Sequence, residues 1–474
     1  MVSISVAFLS LFMLIPIFVS LIYKSTDLLP LLKSFLLTFF TSILFYASTY
    51  KYRKIELRTR DAFAVVTLSW LFVALFGSIP YLFSGTFQSF TDAYFESMAG
   101  FTTTGSSVLK DIESVTPGIL FWRSMTQWIG GMGIIVFALA VLPLIGSGGM
   151  QLFKAEVPEI SVDKLKPRII DTAKALWLIY VGFTILLTAL YMVGGISIYD
   201  SICHSFTTMA TGGFSTKNSS IAHFNSPYIE YVTSIFMFLA GINYTLYFYA
   251  LRGNIRRFLK NAEFRFYSAI IIVAVLIISL DLFIKYYPDG STSFRYALFQ
   301  VISIITTTGY ATADYEKWPF FTQTVLVTLM FFGGMIGSTA GGIKQVRMLL
   351  MLKHGYREMY QILHPRAITT IKLDEKTLSK DILGSIWGFI FLFLFLCSIA
   401  IIALSATGLD IVTSATAVIS AMSNVGPALG EVGPAENYST ISPVGKWILI
   451  FCMLAGRLEI YTVLILFIPQ FWKK

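Results

Sequence analysis

Thr102-Thr103-Thr104-Gly105-Ser106 is a short polar stretch between two long apolar runs, and three relatives of it follow in the same chain: Ala210-Thr211-Gly212-Gly213-Phe214, Thr306-Thr307-Thr308-Gly309-Tyr310 and Ser423-Asn424-Val425-Gly426-Pro427. A strand of this kind needs backbone freedom at its glycine, which adopts positive φ without a steric penalty. Its carbonyls can then turn to one side, and four such strands form rings of oxygens able to replace an ion's hydration shell. Four copies in one polypeptide predict that a single chain closes a four-sided pore. For any one copy, the alternative is a small residue at a helix contact. Four copies at matched positions favour the pore.

Working outward, each copy is preceded by an apolar stretch too short to span a bilayer, which takes about 20 residues. The stretches run 91–102, 199–210, 293–306 and 410–423. Asp92, Asp200, Ser293 and Asp410 stand near their starts and are residue types that cap a helix N-terminus. The prediction is four half-helices that enter from outside and stop mid-membrane. Their C-terminal ends carry partial negative charge towards the centre, which favours a cation. Non-helical backbone at that depth is tolerated where it lines a water-filled cavity. Downstream of each strand lies a glycine patch: Gly130-Gly131-Met132-Gly133, Ala240-Gly241-Ile242-Asn243, Gly333-Gly334-Met335-Ile336 and Ala455-Gly456-Arg457-Leu458. The unit is helix, half-helix, strand and glycine-broken helix, four times over.

The composition agrees. Of 474 residues, 56% are hydrophobic and only 13% charged, against about 25% charged in soluble proteins. Ten apolar spans are predicted near 4–23, 31–50, 62–84, 119–144, 173–194, 228–250, 266–285, 321–349, 381–405 and 445–469. The first lacks the basic start and cleavage site of a signal peptide and is read as a helix. The Lys and Arg clusters at 51–60, 154–174, 252–265, 344–380 and 473–474 all fall on one side if the chain starts inside. That bias marks the cytoplasmic face and places both termini there. It also accounts for the net charge of +9 without a nucleic-acid partner. The opposite loops hold Asp92, Glu96, Asp111, Glu113, Asp200, Asp289, Asp314, Glu316, Asp410, Glu431 and Glu436. Such a mouth would concentrate cations, although for most of these residues a helix cap or a solvated loop charge is the plainer reading. The fold class is thus an all-α polytopic membrane protein. The expected units are an N-terminal helix pair at 1–55 and pore repeats at 56–150, 151–260, 261–375 and 376–474.

Cys203, Cys397 and Cys452 lie in or beside apolar runs with no disulfide or zinc spacing and read as buried hydrophobes. His204 has no further metal ligands in its vicinity and reads as packing or capping. There is no P-loop and no serine, histidine and carboxylate arrangement, so no catalysis and no bound cofactor is expected.

The expected ion ligands are backbone carbonyls around Thr103, Thr104, Gly105, Thr211, Gly212, Gly213, Thr307, Thr308, Gly309, Asn424, Val425 and Gly426. Two further features stand below them. Gly333, Gly334, Gly337, Gly341 and Gly342 fall within ten residues of one apolar span. Each costs about 1 kcal/mol in a helix interior, so the helix should break there. The alternative is a kinked, closely packed helix. Arg457 stands deep in the last span, where an arginine costs roughly 2.5–3.5 kcal/mol and must face protein or water. Either it pairs with Glu459 or it sets a positive charge under the strands. At roughly 10 Å and an effective dielectric near 20, that charge would repel a monovalent cation by about 1.7 kcal/mol.

These residues together resemble the TrkH/KtrB/HKT superfamily of potassium transporters over about residues 62–470. The extra helix pair at 4–50, Gly212-Gly213-Phe214-Ser215 and Asn424-Val425-Gly426-Pro427 resemble its TrkH branch. The resemblance implies potassium uptake across the cytoplasmic (inner) membrane, a homodimer with one pore per protomer, and a cytoplasmic nucleotide-binding regulatory ring of the TrkA type. It also implies that the 333–342 segment obstructs the pore and that Arg457 shares in gating. Pro427 stands where the third repeat has Tyr310, so the pore is not four-fold symmetric. The rival expectation is a proton- or sodium-coupled symporter, which calls for an ionisable relay within the spans.

Overall fold

The computed structural model describes residues 1–52, 59–133, 169–367, 369–374, 376–378 and 380–473. Among the described residues the regular structure is helical apart from a two-stranded hairpin that pairs Lys372 with Thr377. Two helices, Val2–Tyr23 and Leu28–Thr49, form an N-terminal hairpin. Asp27 at its turn accepts a hydrogen bond from the Ile119 amide at 3.0 Å. This satisfies one of the donors left open at the start of helix Pro117–Trp128 and ties the hairpin to the body.

Four pseudo-repeated units follow. The outer helices are Thr59–Phe83, Ile169–Val193, Ala262–Lys285 and Lys380–Ser405. The half-helices are Phe90–Phe101, Ile198–Met209, Gly290–Ile305 and Ile411–Ser423. Each stops just before a glycine segment, within a few residues of the bounds predicted from sequence. The caps fall differently. Asp410 caps its helix, accepting from the Val412 and Thr413 amides at 2.8 and 3.0 Å. In the other three repeats the residue at the cap is Ser89, Ser197 or Asp289. Asp92 and Asp200 lie inside the first turn, where a carboxylate is favoured by the helix dipole without being the cap. Ser293 lies one turn in and donates back to the Asp289 carbonyl. The Asp289 carboxyl is held well below the usual carboxylate range by hydrogen bonds from Thr292 and Ser291.

Inner helices break where the glycine patches stand. Pro227–Ala240 and Tyr244–Leu251 meet at 95°, and Pro443–Arg457 and Ile460–Phe467 at 117°. The third inner helix stops at Leu329 and resumes only at Gln345. In the first, helix Pro117–Trp128 passes into a π-helical turn, Ile129–Gly133, at its glycines. Six helices among the described residues are long and apolar enough to cross a membrane, and the two bent pairs raise the number to eight. Of the ten predicted spans, 321–349 is a short helix, a loop and a second helix. The latter part of 119–144 lies outside the described residues, as do most of the 154–174 basic cluster and part of that at 51–60.

The buried core has two halves. One joins the N-terminal hairpin with repeats 1 and 4, around Trp70, Phe95, Phe393 and Leu449. The other joins repeats 2 and 3, around Tyr180, Met237, Tyr267 and Phe299. The glycine segments lie where the halves meet.

Candidate functional site: the glycine ring and the loop beneath it

Each glycine segment has the same backbone shape. Thr103, Thr211, Thr307 and Asn424 have φ of 52°, 53°, 56° and 58°. Such angles are uncommon outside glycine. Two residues on, Gly105, Gly213, Gly309 and Gly426 have φ of 81°, 75°, 77° and 105°. The sequence pointed to the glycines; the left-handed residue two places earlier carried no signal of its own, being threonine in three repeats.

The four segments close on one another in chain order. A Cβ placed on Gly105 would lie 2.1 Å from the Gly212 carbonyl oxygen, on Gly213 1.9 Å from that of Thr308, on Gly309 2.0 Å from that of Val425, and on Gly426 2.6 Å from that of Thr104. In each case the oxygen belongs to the residue just before the next repeat's glycine. Repeat 1 touches 2, 2 touches 3, 3 touches 4, and 4 returns to 1. Only a glycine leaves room for this approach.

Side chains behind the ring fix it. The Gln127 carboxamide donates to the Gly212 carbonyl at 2.6 Å and accepts from the Phe214 amide at 3.0 Å, spanning Gly213. Tyr438 and Ser420 hydroxyls donate to the Gly426 carbonyl at 2.6 and 2.9 Å. Ser303 donates to the Tyr310 carbonyl at 2.7 Å, and the Tyr310 hydroxyl meets Thr207 of repeat 2. His204 is buried, with its ring nitrogens 2.8 Å from the Asp200 carbonyl and 2.9 Å from the Ser215 hydroxyl. It packs and tethers, as expected.

Glu96 departs from expectation. It is not part of an acidic mouth: it is fully buried and pairs with Arg123 at 2.6 Å. Its other oxygen accepts from the Val108 amide at 2.9 Å. Arg123 donates onward to the Ser215 carbonyl at 2.9 Å and lies 3.6 Å from the Phe214 ring centroid. The pair therefore joins the exit of segment 1 to that of segment 2. Two charges in otherwise apolar stretches were the available signal. Asp92 is likewise engaged, with Lys446 at 2.7 Å.

Residues 330–344 lie against the C-terminal ends of the half-helices. Thr339 donates to the Met209 carbonyl at 3.0 Å. The Gly341 amide donates to the Thr307 hydroxyl at 2.7 Å, and a Cβ on Gly341 would fall 2.4 Å from the Ser423 carbonyl. Gly333, Gly337 and Gly342 have φ of 73°, 75° and 72°, so the helix does break; the kinked-helix alternative is excluded. The loop also joins the second repeat's break, through Met335 N to Gly241 O at 2.9 Å and Tyr244 N to Gly337 O at 3.1 Å.

Arg457 does not pair with Glu459. Its guanidinium donates to the Thr339 carbonyl at 2.7 Å and to those of Gly130 and Gly131 at 2.6 and 3.0 Å. Glu459 instead binds Arg347, whose guanidinium stacks 3.9 Å over Phe389. A residue that the sequence reading missed, Glu263, is buried and accepts from the Ile336 and Val346 amides at 2.8 and 3.0 Å. It grips both sides of the loop. Gln345 closes the loop's neck by donating to the Gly333 carbonyl at 2.7 Å.

A chain of apolar spans, four re-entrant half-helices and one closed ring of glycine–carbonyl contacts is a multi-pass membrane protein of the single-chain, four-repeat pore-loop class. The sequence pattern of the TrkH family, described as a cation transport protein, matches residues 31–474. The chain belongs to the TrkH family. It is 41% identical to the Trk system potassium uptake protein TrkH of Salmonella typhimurium, covering 98% of this chain and 96% of that one. It is 36% identical to the Trk system potassium uptake protein TrkG of Escherichia coli over the same two shares. The crystal structure of the potassium transporter TrkH from Vibrio parahaemolyticus superposes with a TM-score of 0.90 at 37% identity, covering 100% of this chain and 98% of that one.

Proposed function

We propose that this protein takes up potassium through the glycine ring, by channel-like conduction down the membrane potential. The observation that carries the reading is the closed order of contacts, Gly105 to Gly212, Gly213 to Thr308, Gly309 to Val425 and Gly426 to Thr104. It makes one four-sided constriction from one chain. In this reading the backbone carbonyls around residues 103–105, 211–213, 307–309 and 424–426 replace the ion's water. A potential of 100 mV supplies about 2.3 kcal/mol per charge, which drives uptake without a chemical step.

Loop 330–344 is the gate in this proposal, and Arg457 its latch. Three carbonyls hold the guanidinium, joining the loop to the first repeat, while its charge opposes a passing cation. The functional division follows the repeats at 56–150, 151–260, 261–375 and 376–474, with the pair at 1–55 as a brace. The protein works in the inner membrane with both termini cytoplasmic, as a homodimer regulated by a TrkA-type nucleotide-binding ring. The family and the basic clusters support this setting.

The test is flux in liposomes under potassium, rubidium, sodium and lithium gradients. Uptake preferring potassium and rubidium, and following voltage, is expected; equal flux of all four ions would overturn the reading. A second reading, coupled symport, draws on Glu263, a carboxylate within a spanning helix that contacts the loop. If it holds, potassium flux at fixed voltage follows an imposed proton or sodium gradient; conduction predicts that it does not.

A further inference from the structure

Beyond the loop, helix Gln345–Leu363 runs out of the molecule. Leu352, Tyr356, Met359 and Leu363 are 62%, 68%, 61% and 75% exposed. Their spacing of four, three and four residues places them on one helical stripe. Beside the stripe lies a cavity of about 710 Å³ between this helix and the segment leading into the 372–377 hairpin. That size suits a small-molecule or headgroup site. Lys353, Arg357 and Lys372 line it with the rings of Tyr356 and Tyr360 and with Thr370. The segment is fastened to the helix by Lys353 Nζ to the Lys372 carbonyl at 2.8 Å and by Gln361 to Thr369 at 2.9 Å. Among the described residues the lining holds three cations and no carboxylate, and one of the three, Arg357, also binds the half-exposed Glu358 beside it on the helix. The cavity lies within the 344–380 basic cluster, on the side taken above as cytoplasmic.

We propose that this cavity holds the phosphate headgroup of an anionic phospholipid of the inner leaflet, with its acyl chains along the Leu352–Leu363 stripe. The two features fit one ligand. A helix with an apolar stripe and a cationic flank lies in the bilayer interface, and a basic pocket on the cytoplasmic side of spanning helices suits a lipid phosphate. A soluble anion would use the cations but leave the stripe bare. A protein partner would cover the stripe but would have to supply acid to the cavity. The proposal rests on the orientation given above, but its test reads binding and does not depend on ion flux.

The test titrates phosphatidylglycerol into the purified full-length protein, with bound lipid counted by native mass spectrometry. A neutral phosphatidylcholine of the same chains and water-soluble glycerol phosphate run in parallel. The wild type should bind phosphatidylglycerol over phosphatidylcholine. The K353Q/R357Q/K372Q variant should lose on the order of a hundredfold in affinity, at about one kcal/mol per basic residue. K353R/K372R should keep most of it. L352S/M359S should weaken phosphatidylglycerol without changing glycerol phosphate. Potassium flux of the triple variant in purely zwitterionic liposomes should equal that of the wild type there, which shows that it is folded. Undiminished phosphatidylglycerol binding by the triple variant overturns the proposal. So does competition by glycerol phosphate at the lipid's own concentration, which would mark a soluble-anion site. A triple variant that keeps its lipid but loses a cytoplasmic protein partner also overturns it, by making the face a protein dock.

Discussion

The glycine ring and the loop beneath it are both irregular backbone, yet they are held in different ways. In the ring, backbone meets backbone: every glycine faces a carbonyl of the next repeat, and the four contacts close. In the loop, the side chains of Arg457, Glu263, Thr339 and Gln345 share the holding with a few backbone bonds such as Met335 N to Gly241 O. A backbone ring has no part that can let go singly. A loop held by side chains can exchange those bonds for others at small cost. The contrast suits a fixed selector placed over a movable obstruction.

The hardest blow to the ring is a Cβ. Gly213→Ser puts one 1.9 Å from the Thr308 oxygen on a backbone that side chains rarely adopt. Selection of potassium over sodium should fall on the order of tenfold or more, since about 1.4 kcal/mol of differential binding is a factor of ten. Gly105→Ser and Gly309→Ser should behave alike. Gly426→Ser, with 2.6 Å of clearance, should be mildest. Flux ratios in liposomes check the ranking, and four unchanged ratios would remove the ring from selection.

Next comes the brace behind the ring. Glu96→Ala leaves Arg123 buried without its carboxylate, which costs about 3–5 kcal/mol. The midpoint of thermal unfolding of the purified protein should fall clearly, and the potassium-to-sodium ratio should fall with it. Glu96→Gln should lose less of both. A stability loss with an unaltered ratio would make the pair a scaffold only.

The loop should answer in the opposite sense. Arg457→Gln frees Thr339 from Gly130 and removes a charge, so potassium flux should rise, by up to about twentyfold given a repulsion near 1.7 kcal/mol. The ion ratio should stay put. Arg457→Lys keeps the charge but cannot reach three carbonyls with the same fork, so its gain should be smaller. Deleting part of 333–342 should likewise raise basal flux. Folded variants with no gain would end the latch reading. Loss of Glu459's partner is no longer an explanation for any instability, because Glu459 binds Arg347.

The smallest effect concerns the approach to the ring on the side proposed to face outward. Burial pushes the Glu316 carboxyl above its ordinary value of 4.5, and Glu436 and Asp314 push it the same way. A raised carboxyl takes up its proton at a higher pH than usual as the outer solution is acidified. The mouth then loses negative charge and potassium entry should dip slightly just above the ordinary carboxylate range, while Glu316→Gln should flatten the dip. The same raised value means that Glu316 favours the fold at low pH and ceases to do so as pH rises through its folded pKa.

Most of the architecture was legible in the sequence because it is local. The half-helices, the glycines and the breaks are each written within a window of residues, and their repetition aligned them. Three of the four caps lie three or four residues from where the sequence puts them, because Ser89, Ser197 and Asp289 take the role from Asp92, Asp200 and Ser293. What could not be read was contact between distant residues. Nothing near Arg457 announces Gly130 and Thr339, nothing near Glu263 announces Ile336, and Glu96 differs from a solvated loop acid only through Arg123. Burial decides those roles, and it is a property of the assembled chain.

The closure of the ring bears on how the protein is made. The contact from Gly426 back to Thr104 joins the last repeat to the first. A ribosome that has released three repeats into the bilayer has therefore made three walls and an open side, with no fourth carbonyl to strip an ion of its water. In the proposed reading, selective conduction arrives only when the segment at 423–427 completes the ring.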